Sequence, residues 1–401
     1  MKKHVGVREI LSLIPDGLLS DLAAQTGVDK HVKKLDGRSV FQLFLYSFFM
    51  DDKLSLRSLS KGFGDSSFRI LNGSATSDEK TGKSSISDRL RTIKVEYFEK
   101  IFEHLVERYQ KVLPKDLKEK VVRFDSTILT LSSKLLKEGF PASQPNPEKA
   151  VKNQIKFAIG FNQIPNTMKL FSKSSETDEV ALRQVVLAHK YEPDSIAVFD
   201  RGLASRATFC EIDQSGIDFV TRLSDRANYR VIDNNSSVLG QTTGNLTLID
   251  DVIVQLRSKG IHWVDHPFRL VIATNEEGKK LFFLTNRRDM GAIEICELYK
   301  KRWDIEVFFK FIKQELHAKH FLSRNLNGIQ VTFYMILILS LLLMAFKYLN
   351  NLDGYQWVRW DFRKELRDLV NRDLVYLYGG NLEKYDRDFF GQNAPLHFPD
   401  S

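Results

Sequence analysis

VVRFDSTILTLSS, residues Val121–Ser133, is the stretch on which the reading of this chain turns. β-Branched and apolar residues alternate in it with polar ones, the period-two pattern of a strand with one buried face. Nothing before it, from residue 1 to about 115, carries a convincing strand, so the pattern changes near Lys120. After a Pro/Asn-rich loop, PASQPNP (Pro141–Pro147), come two more strands, NQIKFAIGFN (Asn153–Asn162) and MKLFSKS (Met168–Ser174). SETDEVALRQVVLAHK (Ser175–Lys190) reads as a helix capped by Ser175, with acids in its first turn and Lys190 at its end. SIAVFDRG (Ser195–Gly202) is a buried strand ending in Asp-Arg-Gly, a short helix starts at Ser205, and IDFVTRLS (Ile217–Ser224) is a fifth strand. The order β-β-β-α-β-α-β predicts an α/β domain built on a mixed sheet.

Two aspartates stand out within these strands. Asp125 interrupts an otherwise apolar strand, where a carboxylate is costly to bury without partners. Asp200 ends the fourth strand, at the carboxyl edge where α/β sheets build their sites. Strands one and four can be neighbours in this layout, which would let the two acids face each other. Taken singly, each has an ordinary alternative: Asp125 as an exposed strand residue, Asp200 as a cap of the next helix.

Downstream, YRVID, LTLIDDVIVQL, FRLVIAT and KKLFFLTN read as strands of a β-rich insertion over residues 225–288, the last two joined by the hairpin signal Asn-Glu-Glu-Gly. A helix follows. On one continuous helix, Arg302, Glu306 and Lys313 fall at roughly −60°, −20° and −40° from Tyr299, with Lys310 and His317 at roughly +20° and 0°. All project from one strip beside the apolar stripe Leu298, Ile305, Phe309, Ile312 and Leu316. By itself a solvated charged face explains this as well as anion binding does. Together with Asp125 and Asp200, Glu306 supplies a third carboxylate, and three carboxylates without His or Cys suit Mg²⁺ or Mn²⁺. Asp304 and Glu315 lie at roughly 140° and 160°, away from the strip. His317 and His320 are two histidines where a transition-metal site needs more ligands, and Lys300, Lys301 and Lys319 suit phosphate contacts or a solvated surface equally.

Upstream, SLRSLSKGF (Ser55–Phe63) reads as a short helix, Gly73–Lys83 as a connector and Ser84–Leu113 as one long amphipathic helix, with Arg89, Arg91 and Lys94 placed for phosphates. Helix, connector and basic second helix are compatible with a DNA reader and equally with a plain helical bundle. The chain has 401 residues and a net charge of +8, which favours an anionic partner such as nucleic acid. Two cysteines, Cys210 and Cys296, build neither a disulfide framework nor a Cys-rich zinc site, in keeping with a reducing, cytoplasmic setting. The first residues lack the sustained apolar run of a signal peptide. Val331–Phe346 is almost wholly apolar, but at about 16 residues it is short for a bilayer and reads as a buried core helix.

Asp125, Asp200 in Asp-Arg-Gly, and Y-x2-R-x3-E-x6-K from Tyr299 to Lys313 resemble the signature of DDE transposases of the insertion-sequence-four family, over roughly residues 120–345. The resemblance implies an α/β fold: an RNase H-like mixed-sheet core with a β-rich insertion, preceded by an all-helical N-terminal domain. It divides the chain into a helical DNA-end-binding domain (1–118), the first part of the catalytic domain (119–224), the insertion (225–288), the catalytic helix and end of the core (289–349) and a tail (350–401). It implies Asp125, Asp200 and Glu306 as catalytic residues holding two Mg²⁺ ions, for which Mn²⁺ substitutes. Tyr299, Arg302 and Lys313 would grip phosphates at the transposon end, with Lys310 alongside, and Arg222 resembles a DNA-contacting arginine. The implied partners are double-stranded DNA, as terminal inverted repeats and as target, and a second copy of the chain on that DNA, in a prokaryotic cytoplasm. One departure is visible. Relatives stack a flipped base on a Trp just ahead of a Leu-Thr-Asn/Ser segment, whereas here Leu281 stands near that place and Trp263 lies elsewhere in the insertion. An RNase H-like nuclease or resolvase without strand transfer, and a silent DNA-binding descendant, are the alternative readings.

Overall fold

The computed structural model of the chain describes residues 4–51, 54–73, 80–112, 120–130, 139–141, 153–173, 175–235, 239–258, 262–316, 322–323 and 325–390. Helices lead: α1 (Val7–Leu11), α2 (Asp16–Thr26), α3 (Gly37–Met50), α4 (Leu56–Phe63), α5 (Ser66–Leu71), α6 (Lys83–Thr92) and α7 (Val95–Val112). Then come β1 (Val121–Thr130), β2 (Phe140–Pro141), β3 (Asn153–Asn162), β4 (Ile164–Phe171), α8 (Asp178–Ala188), β5 (Ile196–Phe199), α9 (Arg206–Gln214) and β6 (Asp218–Leu223). The β-rich stretch forms β7 (Tyr229–Asn234), β8 (Thr242–Thr243), β9 (Leu246–Arg257), β10 (Trp263–Asn275) and β11 (Lys280–Thr285). The chain continues with α10 (Ala292–Lys300), α11 (Trp303–Gln314), α12 (Leu326–Leu349), α13 (Tyr355–Leu377) and α14 (Leu382–Phe390). Two compact units result, one of residues 110–310 and one of residues 1–109 with 311–401.

In the helical unit, α12 packs against α6, α13, α1 and α3. It is long and apolar enough to cross a membrane, yet 94% of its most apolar window is buried by the fold itself. The buried core helix expected at Val331–Phe346 is therefore what forms. The single helix expected over Ser84–Leu113 is instead two, α6 and α7, because Ile93 turns extended at the α6 C-terminus. Asn327 Nδ2 bonds the Leu90 and Ile93 carbonyls released there, at 3.0 and 2.8 Å. Two of the three cations read for phosphates also have partners within the fold. Arg89 donates to the Leu35 and Val28 carbonyls and Lys94 to the Thr26 carbonyl, so both cations tie α6 and its exit to the loop after α2. Arg91 and Lys94 are exposed and Arg89 is half-buried; Arg91 stands beside Asp88 at 3.3 Å.

In the other unit, β1 pairs antiparallel with β3 and parallel with β5, β5 runs parallel to β6, and β3 turns back antiparallel into β4. The β-rich stretch continues this sheet: β11 joins β6 antiparallel, followed by β10, β9 and β7. These are the strand order and senses of an RNase H-like core with added strands, as the sequence pattern led one to expect. The helix after β4 starts later than expected, with Thr177 rather than Ser175 as its cap; the Thr177 hydroxyl accepts from Val180 N, and Asp178 and Glu179 fill the first turn. Strand alternation gives the sheet two apolar faces. Val122, Phe124, Phe199, Phe209 and Phe219 fill one, under α8 and α9, and Val121, Val198, Val220, Phe283, Ile295 and Leu298 fill the other, under α10.

Candidate active site

The α10 face of the sheet carries the predicted residues. Residues 121, 123 and 125 share it by alternation, as do 196, 198 and 200 on the next strand and 220 and 222 on the one after. Phe124 lies opposite Phe199, and Phe199 opposite Thr221. The next residues along are Asp125, Asp200 and Arg222, which therefore form a row across β1, β5 and β6 at the carboxyl end of β5 and midway along β1. Arg222 also lies opposite Phe283 of β11.

Backbone amides orient both aspartates. Ser126 N donates to Asp125 Oδ1 at 2.7 Å, and Gly202 N donates to Asp200 Oδ1 at 2.8 Å. Any Cβ at position 202 would stand 2.8 Å from Asp200 Oδ1, so a side chain there would have to displace that carboxylate. Thr221 Oγ1 donates to the Phe199 carbonyl at 3.0 Å, which fixes the strand end below Asp200. Burial pushes the Asp125 carboxyl up to about 6; Asp200 and Glu306 push the same way, while the Ser126 N–H and Arg302 oppose them.

The helix over this row departs from the single rod the spacing predicts. It breaks after Lys300: α10 ends, Arg302 N turns to the Tyr299 carbonyl, and α11 begins at Trp303. The cause lies on β1. Arg123, only 1% exposed, donates through Nε to the Lys301 carbonyl at 2.7 Å and through a terminal nitrogen to Asp304 Oδ2 at 2.8 Å. Asp304, which helical spacing placed away from the strip, thus has a structural partner. The break still leaves Tyr299, Arg302 and Glu306 together. Arg302 donates to Glu306 Oε1 at 2.5 Å, lies 3.8 Å from Asp125 Oδ2, and sits 5.8 Å from the Tyr299 ring centre. Burial works against the charge of Arg302, but Tyr299, Glu306 and Asp125 outweigh it and raise its pKa. Its Nε is buried without a hydrogen-bond partner. Burial, helped by Asp200, raises the Tyr299 hydroxyl, while Arg302 and Arg222 counter it. Tyr299 therefore feels Asp200 and Arg222 of the sheet row.

Lys310 is exposed one turn beyond Glu306 on α11, and Lys313 is half-buried at the next turn of the same helix. His317, Lys319 and His320 lie outside the described residues. Trp263 has cations of its own chain over its ring, Arg230 at 4.9 Å and Arg257 at 5.9 Å, and Leu281 packs with Tyr299 against one core cluster. Pattern reading missed Arg123, Gly202 and Thr221. A clue to the first was an arginine two residues from Asp125 in an apolar strand; a clue to the second was the glycine of Asp-Arg-Gly.

Among the described residues, no three His, Cys, Asp or Glu side chains stand close enough to hold an ion as placed. Arg302 accounts for this at Asp125 and Glu306, because its guanidinium lies between the two carboxylates as their counter-charge. The donor set nevertheless fits a hard divalent cation. It is all oxygen, and burial, with Asp200 and Glu306 adding to it, raises the Asp125 pKa, so a divalent cation would relieve the carboxylates there.

Fold and site together define an RNase H-like domain with an acidic centre on the α10 face of its parallel strands. The chain belongs to the family described as "Transposase DDE domain", whose model matches residues 116–342. It is 31% identical over 161 residues, 40% of this chain and 45% of the relative, to "Putative transposase y4zB" of Sinorhizobium fredii. It is 24% identical over 224 residues, 55% of this chain and 58% of the relative, to "Putative transposase for insertion sequence element IS4SA" of Synechocystis. The chain spans about half the length of these curated relatives.

Proposed function

We propose that this protein is a cut-and-paste DNA transposase of the insertion-sequence-four type, with Asp125, Asp200 and Glu306 as its catalytic carboxylates. The observation that carries the reading is the row Asp125–Asp200–Arg222 on one sheet face, with the Arg302–Glu306 pair against Asp125. The three carboxylates would hold two Mg²⁺ ions, or Mn²⁺ in their place. When bound, the ions would activate the attacking oxygen and stabilise the leaving one in phosphodiester displacement.

The remaining work belongs to the chain. Ser126 N and Gly202 N each engage one oxygen of an aspartate and fix the orientation of the carboxylate that would hold an ion. Asp125 holds its proton up to about pH 6, and it would have to give up that proton to hold a cation. Arg302 holds Glu306; its fork, with the unpartnered Nε, matches a phosphate that would compete for it. Tyr299 and Lys313 add a hydroxyl and a point charge, and Arg222 and Lys310 extend the cationic surface along the DNA. The helical segment 1–118 would read terminal inverted repeats, and two copies would meet on the paired ends in a prokaryotic cytoplasm.

Glu306→Gln keeps size and hydrogen bonding but removes one ligand charge. With Mg²⁺ and the DNA ends that flank its own gene, the purified variant should cleave at least about a thousandfold more slowly than the parent. Full end cleavage by Glu306→Gln would overturn the assignment. Joining of pre-cut ends to a target plasmid separates a transposase from a nuclease on the same core.

A further inference from the structure

We propose that Arg123 is a positioning residue for this acidic centre, a strut that sets the distance between the strand bearing Asp125 and the helix bearing Glu306. The inference rests on the functional reading above. Arg123 lies two residues before Asp125 on the same face of β1, at 1% exposure. Its terminal nitrogen NH1 bonds the Val121 carbonyl of its own strand at 3.2 Å, while Nε and NH2 reach the Lys301 carbonyl and Asp304. Lys301 directly precedes Arg302, and Asp304 stands two residues before Glu306.

The strut explains the helix break. In an unbroken helix the Lys301 carbonyl would accept from Ile305 N four residues on. Here Asp304 N takes that carbonyl at 3.1 Å and Ile305 N turns to the Arg302 carbonyl at 3.3 Å, a tighter turn whose other acceptor site goes to Arg123. The tight turn directs the Arg302 side chain toward Asp125 and Glu306. A buried guanidinium is an expensive way to fill a core, and apolar residues often replace buried ion pairs without loss of stability. What an apolar side chain lacks is a rigid fork that fixes two acceptors at once. Lysine lacks it too, since its ammonium is a point charge on a flexible stem. Displacements of about 1 Å at a reacting centre lower rates by about 100-fold, so a strut of this kind controls chemistry more than folding.

The test compares Arg123→Lys and Asp304→Asn with the parent in three measurements: thermal melting, DNA affinity without divalent metal, and Mn²⁺ titration of nicking on a plasmid carrying the protein's own ends. Arg123→Lys should fold and bind DNA within about twofold of the parent. It should nick about 100-fold more slowly and need at least about tenfold more Mn²⁺ for half-maximal rate. Asp304→Asn, which keeps the carbonyl arm of the strut, should fall between, and the double variant should be no worse than Arg123→Lys alone. Parent-like rate and Mn²⁺ requirement in Arg123→Lys overturn the proposal. So does a loss of rate that tracks loss of fold while the Mn²⁺ midpoint stays put. If Arg123→Lys does not fold, a parent-like Mn²⁺ midpoint in Asp304→Asn overturns it. Glu306→Gln in the same assay separates the two levels: parent-like nicking by that variant removes the acidic centre itself, whereas an inactive Glu306→Gln beside a parent-like Arg123→Lys removes only the strut.

Discussion

Gly202 is a position where one added carbon would reach the acidic centre. Its amide orients Asp200, and a methyl group there would meet Asp200 Oδ1 at 2.8 Å and Leu182 Cδ1 at 3.5 Å. Gly202→Ala should lower end cleavage by about 10- to 100-fold through displacement of that carboxylate. A melting midpoint within a few degrees of the parent, measured alongside, would place the effect in the site rather than in folding. His189 makes a different residue-scale prediction. Its ring bonds Thr167 Oγ1 at 2.7 Å and packs edge-on against Phe124 and Tyr191, and burial pulls its pKa down to about 4. The unfolded chain protonates this histidine below about pH 6.5, while the folded chain resists until about pH 4. Stability should therefore fall as pH drops through that window, by at most about 3 kcal/mol, and level off below it. Urea titrations of His189→Phe across the same range should lack that part of the slope.

At the scale of elements, the strands were largely legible and the helix junctions were not. Two strands that look ordinary in sequence, β9 and β10, are clamped by a buried pair. Arg269 donates twice to Asp251, at 2.9 and 2.7 Å, and caps the Met290 carbonyl before α10 at 2.5 Å. Removing one member strands the other charge in the core. Arg269→Met should lower unfolding free energy by about 3–5 kcal/mol, and Arg269→Met with Asp251→Leu should recover much of that loss in chemical denaturation. Neither β9 nor β10 announces this pairing, because an acid and a base in separate strands meet only through register. The helices show the same limit. The i, i+3, i+4 spacing of Tyr299, Arg302 and Glu306 survives a break at Lys301 because a tight turn advances the chain much as a helical one does. The break itself comes from Arg123, 178 positions away in sequence. In α6, likewise, Arg89 and Lys94 look like phosphate ligands in a basic run, yet carbonyls around the end of α2 claim them.

Over the whole molecule, the net charge of +8 and the arginines and lysines around the acidic centre predict electrostatic capture of DNA. Affinity for a duplex carrying the protein's own ends should fall about a thousandfold between 50 and 200 mM NaCl, as fluorescence anisotropy would show. A nearly flat salt response would mean that few phosphates are engaged and would count against the basic surface as a DNA track.

What the sequence by itself determined is the kind of each element and the chemistry on offer. Period-two alternation marked β1, an apolar run marked α12, and carboxylates at Asp125, Asp200 and Glu306 offered hard oxygen ligands. These signals act over a few residues, since alternation, helical spacing and turn chemistry depend on near neighbours in the chain. Only the tertiary structure decided that Phe124 lies opposite Phe199, which brings Asp125 beside Asp200, and that Arg302 stands between Asp125 and Glu306. The physical reason is that a buried charge takes whichever partner the packing of distant elements brings within hydrogen-bond reach, and that choice leaves no trace in the local pattern of either residue.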